Sequence, residues 1–184
     1  GGVILKAVLK QTKGSDITIL TDGKWKIAND SKGNGADKPA VVFAPHVETS
    51  AGMILPDAYL RAVADAVHQV GGLFVLDCIA SGTIWVDMQA TGVDVLVTAP
   101  QKGWSSTPCC ALVAMNDRAR TAIDSTTSST YSMDLKKWLT VMETYEQGRF
   151  IYHTTMATDG LKELRDTMLE TEQLGFDLLK QQQY

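Results

Sequence analysis

The sequence predicts an α/β domain: a mixed, mostly parallel sheet with flanking helices. Two observations carry this expectation. Short apolar runs recur at AVVFA (40–44), LFVLD (73–77), VDVLVTA (93–99) and CALVAM (110–115). They are apolar at consecutive positions, as parallel strands covered on both faces are. Between the first two lies LPDAYLRAVADAVHQVGG, with Leu60, Val63, Val67 and Val70 on one helical face.

In chain order, residues 1 to 38 carry no chemical motif and form an unassigned N-terminal segment. VILKAVLK has the spacing of a short helix and ITIL that of a short strand. TDGKWKIANDSKGNGADK is polar and turn-rich. From Pro39 to about residue 150 comes the core of the domain. Its helix opens at Pro56 and closes at Gly71-Gly72. The connections 78–92 and 100–109 are short and lack a long helical pattern, which leaves antiparallel joins or short helical turns open. DRARTAI reads as a helix and DSTTSSTYSM as a loop. DLKKWLTVMETYEQG carries Leu135, Trp138, Leu139, Met142 and Tyr145 at helical spacing. Residues 151–184 read as a loop and one long helix, with Leu161, Leu164, Met168 and Leu178 in phase.

The 184 residues suffice for one sizeable core, and 45% hydrophobic with 21% charged residues is ordinary for a globular protein. A net charge of -4 offers no electrostatic case for nucleic acid or an anionic membrane surface. No run approaches a membrane span, and the N-terminus lacks a signal-peptide pattern. Three cysteines, two of them adjacent, suggest reduced thiols in the cytoplasm. With no C-x-x-C or H-x-x-x-H spacing, no metal site is expected.

In open α/β sheets functional groups gather beyond the carboxyl ends of the strands. Three polar clusters stand there: HVETSAG after 40–44, DCIASG after 73–76 and PQKGWSS after 93–99. His46, Glu48, Thr49, Asp77, Gln101 and Lys102 can thus converge on one crevice. Singly, each has an ordinary explanation: Asp77 a turn residue, Lys102 a solvated loop charge, Thr49 a turn hydroxyl. Their joint occurrence at three strand ends weighs against coincidence. A lysine in a mostly apolar mouth has its charged form disfavoured, which frees the amine as a nucleophile. An aspartate on the neighbouring strand end suits a cation opposite it. Pyridoxal 5'-phosphate asks for both.

FAPHVETSAGMILP, LFVLDCIASG, DVLVTAPQKGW and YHTTMATDGL resemble the class V, fold-type I pyridoxal-phosphate aminotransferases, nearest the alanine–glyoxylate and serine–glyoxylate group. The resemblance runs from about Pro39 to near the C-terminus. It implies part of a large cofactor-binding domain, and transamination between a small amino acid, such as alanine or serine, and a 2-oxo acid such as glyoxylate or pyruvate. It makes Lys102 the Schiff-base lysine and proton shuttle, and Asp77 the partner of the pyridine nitrogen. Ile79 would pack a ring face, Thr49 would bond near the phenolic oxygen and Gln101 would contact the phosphate. Tyr152 and Thr155 would reach the phosphate of a second subunit, so the resemblance implies a homodimer. His153 has two readings, a supporting donor or a packed loop histidine. Trp104 is either an entrance wall or a core or interface ring.

The family's phosphate loop, its ring-stacking aromatic and its C-terminal domain have no match here, so the chain reads as the central part of an enzyme. A cysteine desulfurase is the alternative chemistry. Its members usually place histidine before the lysine, where Gln101 stands, and use a mobile-loop cysteine, whereas Cys109 and Cys110 fall at an expected core strand. An inactive piece that only folds and self-associates is the other alternative.

Overall fold

The computed structural model describes residues 6–9, 17–20 and 41–183. β1 (Lys6–Leu9) and β2 (Ile17–Leu20) pair antiparallel, with Lys6 opposite Leu20. Here the expected short helix over VILKAVLK gives way to a strand. A helix that short is marginal because its nucleation is costly, while the β-branched ITIL segment offers a ladder for its backbone groups.

β3 (Val41–Pro45) is followed by a two-residue ribbon, β4 (Val47–Glu48) and β5 (Met53–Ile54), and then by α1 (Asp57–Gln69). β6 (Leu73–Asp77), the single turn α2 (Met88–Thr91), β7 (Val95–Thr98) and β8 (Leu112–Met115) complete the central sheet region. The sheet order is β3-β6-β7-β8, with β8 antiparallel and the rest parallel. This is the mixed, mostly parallel sheet expected, with helices against it.

α1 starts after Pro56, whose φ of -65° suits a helix entry, and ends where Gly71 takes φ +78°. The Gly71 and Gly72 amides donate back to the His68 and Val67 carbonyls, closing the last turn. Leu60, Val63, Ala64 and Val67 pack against Val42, Phe74, Leu76 and Val93. Each of these buried side chains larger than Ala64 contributes about 1.5–3 kcal/mol of transfer free energy.

The opposite sheet face is thinner. Val75, Val95 and Ala119 form its buried centre, flanked by Val41, Val97, Val113 and Met115. The expectation that 40–44 is covered on both faces therefore holds for one: Val42 is 2% exposed, but Phe43 is 67% exposed.

α3 (Asp117–Asp124) and α4 (Leu135–Glu146) are capped by Asn116 and Asp134, whose side chains accept from the Ala119 and Lys137 amides. The expected single helix at the C-terminus is two, α5 (Thr158–Leu174) and α6 (Phe176–Gln182). Gly175 separates them at φ +93°, ψ 127°, where the backbone leaves the helix.

One buried carboxylate ties the layers together. Asp94 is fully buried and accepts from the Phe74 amide, Asn116 Nδ2 and His68 Nε2, each at 2.8 Å. The Arg118 guanidinium lies 3.4 Å away. Burial opposes its ionised form, yet the bonds from Phe74, Asn116 and His68, with the charge of His68, prevail and hold its carboxyl below the ordinary value.

Candidate active site

The register places three strand ends abreast. Pro45 pairs with Asp77, and Asp77 pairs with Val97. Two bonds continue this past the sheet: the His46 amide donates to the Asp77 carbonyl at 2.8 Å, and the Cys78 amide to the Val97 carbonyl at 2.7 Å. The loops that follow β3, β6 and β7 therefore leave the same edge of the sheet side by side.

After β3, His46 is a brace. It is 1% exposed, its Nδ1 stands 2.7 Å from Ser81 Oγ, and its carbonyl accepts from the Leu55 amide. Burial, outweighing the raising influence of Asp57, pushes its imidazole below the ordinary value and favours the neutral ring. Glu48 is engaged locally, accepting from the Ser50 hydroxyl at 2.6 Å and amide at 3.0 Å. Those bonds lower its carboxyl. Thr49 is exposed in the turn between β4 and β5.

After β6, the exposed Asp77 carboxylate accepts from the Ile79 amide at 2.9 Å through one oxygen, and its second oxygen bonds no described residue. The turn fixes the carboxylate at the strand end. Ile79 is half-buried. Cys78 points into the core, and burial pushes its thiol up to about 11.

After β7 the chain turns tightly. Ala99 and Pro100 are buried, and the Ser105 and Ser106 amides donate to the Lys102 and Pro100 carbonyls at 2.9 and 3.0 Å. Ser105 is held at φ +52°, a conformation costing on the order of 1 kcal/mol for a non-glycine residue. Gln101 and Lys102 face outward. The expected apolar mouth is thus absent around Lys102, because the turn buries the proline and presents the polar pair to solvent. Its amine makes no hydrogen bond or ion pair with the described residues.

The loops of Asp77 and Lys102 touch. A methyl group on Gly103 would overlap the Gly82 carbonyl oxygen, so only glycine fits. Trp104 is half-buried with its ring centroid 4.8 Å from that of Trp85. Its Nε1 and Ser106 Oγ are buried without a partner among the described residues. Trp104 is thus a packed ring, as one of the two sequence readings had it.

Tyr152 and Thr155 stand apart from this group, on the connection from α4 to α5. Their hydroxyls lie 3.0 Å from each other, both residues are exposed, and neither bonds the strand-end loops. His153 is packed: its Nε2 donates to the Tyr131 carbonyl at 3.0 Å, and Tyr131 Oη donates to the His153 carbonyl at 2.8 Å. Trp138 meets its ring edge-on.

Cys109 and Cys110 precede β8 rather than lying on it, with sulfurs 3.7 Å apart. A hollow of about 410 Å³ between α3 and α4 is lined by Ile123, Thr126, Ser128 and Met133, and none of its lining residues belongs to the strand-end loops. Sequence reasoning missed Gly82, Ser81 and Trp85. The glycines of Ser81-Gly82 and Lys102-Gly103, in adjacent strand-end loops, are the one signal that pointed to their contact.

The model of the family described as aminotransferase class-V matches residues 3–172. The chain belongs to the class V aminotransferase family. Among relatives of this class V chain, alanine–glyoxylate aminotransferase of Felis catus is 30% identical over 144 residues, covering 76% of the chain and 34% of the relative. That of Callithrix jacchus is 26% identical over 160 residues, covering 84% and 37%. The solved alanine–glyoxylate aminotransferase of a Nostoc species superposes with TM-score 0.68 at 24% identity, over 78% of this chain and 37% of that one. That likeness carries the fold-type I architecture. The class V chain spans about a third of the length of these relatives.

Proposed function

We propose that this class V chain is the cofactor-holding part of a pyridoxal-phosphate aminotransferase, moving an amino group from a small amino acid to a 2-oxo acid such as glyoxylate or pyruvate. The observation that carries the reading is the strand-end register. It sets the Asp77 backbone beside Val97 of β7, whose following turn presents Lys102. The donor set suits the cofactor: an amine with no partner among described residues, and a carboxylate with one oxygen uncommitted. Glyoxylate is named in the enzymes of the Felis and Callithrix relatives, which supports it as acceptor.

When bound, the cofactor supplies an electron sink for breaking bonds at the substrate Cα. Lys102 would be the covalent attachment point, and its released amine would carry the proton to and from Cα. Asp77 would hold a ring-nitrogen proton through a charge-assisted hydrogen bond. Ile79 would pack one ring face, Thr49 would donate near the phenolic oxygen, and Gln101 would bond the phosphate. Tyr152 and Thr155, tied to each other and exposed, are suited to serve a second copy's phosphate, which makes the enzyme a homodimer with shared sites. The three unpaired cysteines favour a reducing compartment such as the cytoplasm.

The test is direct. Purified chain mixed with pyridoxal 5'-phosphate is treated with borohydride and mapped by mass spectrometry. The expected adduct sits on Lys102 and disappears in Lys102→Ala. An adduct on other lysines alone would overturn the reading.

A further inference from the structure

α6 returns across the loops that carry the candidate site. Phe176, its first residue, stands edge-on to Trp85 at 5.6 Å and to Trp104 at 6.4 Å, while the two indoles meet at 4.8 Å. Polar bonds fix the same contact. Trp85 Nε1 donates to the Phe176 carbonyl at 3.2 Å, and Lys180 Nζ donates to the Trp85 carbonyl at 3.0 Å. The Thr83 hydroxyl donates to the Leu179 carbonyl at 2.9 Å, and the Gln183 side chain accepts from the Thr83 amide. Thr83 and Trp85 belong to the loop after Asp77. Trp104 belongs to the turn that carries Lys102.

The side chain of Lys102 has no bond of its own to the described residues, so the place of its amine depends on its backbone. That backbone is held by two turn bonds, by the meeting of Gly103 with Gly82, and by Trp104 in the ring cluster. Ser105 sits in a conformation that would relax if the turn opened. The ring cluster lies at the surface, with Phe176 43% exposed, and so acts from outside the main core.

We propose that α6 clamps the Lys102 turn, with Phe176, Trp104 and Lys180 as positioning residues that act through Trp85 and the Gly82–Gly103 contact. Its meaning for the reaction rests on the reading of Lys102 given above; the clamp itself rests on the ring and bond geometry.

Hydrogen exchange in the full chain tests this without cofactor. In Phe176→Ala the Ser105 and Ser106 amides should exchange about tenfold faster while those of Phe74 to Leu76 keep their rates. Lys180→Met removes one bond and no ring, and should show the same pattern at about two- to threefold. It decides the matter if Phe176→Ala fails to fold. With pyridoxal 5'-phosphate below saturation, borohydride-fixed label on Lys102 should fall in both variants and recover in Phe176→Tyr. Unchanged Ser105 and Ser106 exchange, or acceleration of the central strand in step with them, overturns the clamp. A loosened turn with undiminished labelling overturns the positioning role. A loosened turn in a protein whose unaltered form takes no label on Lys102 supports the clamp and sinks the reading of the site.

Discussion

Gly103 and Gly82 meet backbone to backbone, with no room for a methyl group between Gly103 and the Gly82 carbonyl oxygen. One glycine follows β6 and the other follows β7, so their contact sets the spacing between the Asp77 end and the Lys102 end. Two adjacent parallel strands fix the start of each loop, and the glycine pair fixes how the loops run on.

Gly103→Ala should therefore push the two loops apart. The backbone oxygen cannot swing away as a flexible side chain would, and overpacking of this kind costs about 1–3 kcal/mol. Urea unfolding should show that loss. Fixation of pyridoxal phosphate on Lys102 should fall by more than the loss of folded protein explains. An alanine variant as stable and as readily labelled as the parent would mean that the loops adjust freely.

Asp77→Asn separates charge from shape. Asparagine Oδ1 can still accept from the Ile79 amide, so the turn should survive with melting behaviour nearly unchanged. Under the proposed function, the loss of the negative charge should lower turnover by about a hundredfold or more, because a charge-assisted bond becomes a neutral one. Labelling of Lys102 should persist. Near-normal turnover would remove Asp77 from the mechanism.

Asp94 predicts an acid transition. Its carboxyl is lowered in the folded chain and returns to about 3.9 when unfolded. Stability from its ionised form is complete above that unfolded value and is lost as pH falls through the lower folded value. Asp94→Asn, which leaves His68 and Arg118 facing a neutral group and weakens the bonds from Phe74 and Asn116, should destabilise by about 1–3 kcal/mol at pH 7. The gap between variant and parent should narrow below about pH 4, as denaturant midpoints across pH 3–7 would record. A constant gap would place the effect in packing instead.

Among the three cysteines, Cys78 is the one packed in the core. Cys78 is buried with its thiol at about 11, so at pH 7.5 its thiolate is scarce and hard to reach. Alkylation by iodoacetamide should be slower at Cys78 than at the half-buried Cys109. Rapid modification of Cys78 in folded protein would contradict its place in the core.

Much of the fold could be read in advance because buried parallel strands leave continuous apolar runs. α1 also carried both of its end signals, Pro56 and Gly71. β8 begins two residues later than its apolar run suggests, at Leu112 opposite Thr98. β7 ends there, and Pro100 two residues on has no amide to extend the ladder. The exposure of Phe43 was hidden for a different reason, since an apolar run does not reveal how thick a layer covers each side. That Asp77 and Lys102 stand at and just past adjacent strand ends was legible from the apolar runs before them. The His46–Ser81 bond and the Trp85–Phe176 contact join residues 35 and 91 apart in sequence, and such pairings leave no periodicity to find. Lys102's exposure was missed because the turn bonds that orient it come from Ser105 and Ser106 amides, which residue type does not announce.

Self-association is the last prediction. Tyr131, Met133, Phe150 and Tyr152 are 70 to 83% exposed, and they come from the loop before α4 and the segment after it. Large apolar side chains left exposed side by side are a common mark of an interaction surface. Tyr152 and Thr155 lie in the same stretch and bond each other rather than the strand-end loops of their own chain. A second copy seated here would cover the apolar rings and receive the two hydroxyls, the arrangement a shared site requires. Light scattering at micromolar concentration should find a dimer or larger assembly. Phe150→Asp should shift it toward monomer, since an ionised carboxylate in such a contact would be desolvated without a partner. A monomer in the unaltered chain, or an assembly indifferent to charge at Phe150, would show that these rings are not where the copies meet.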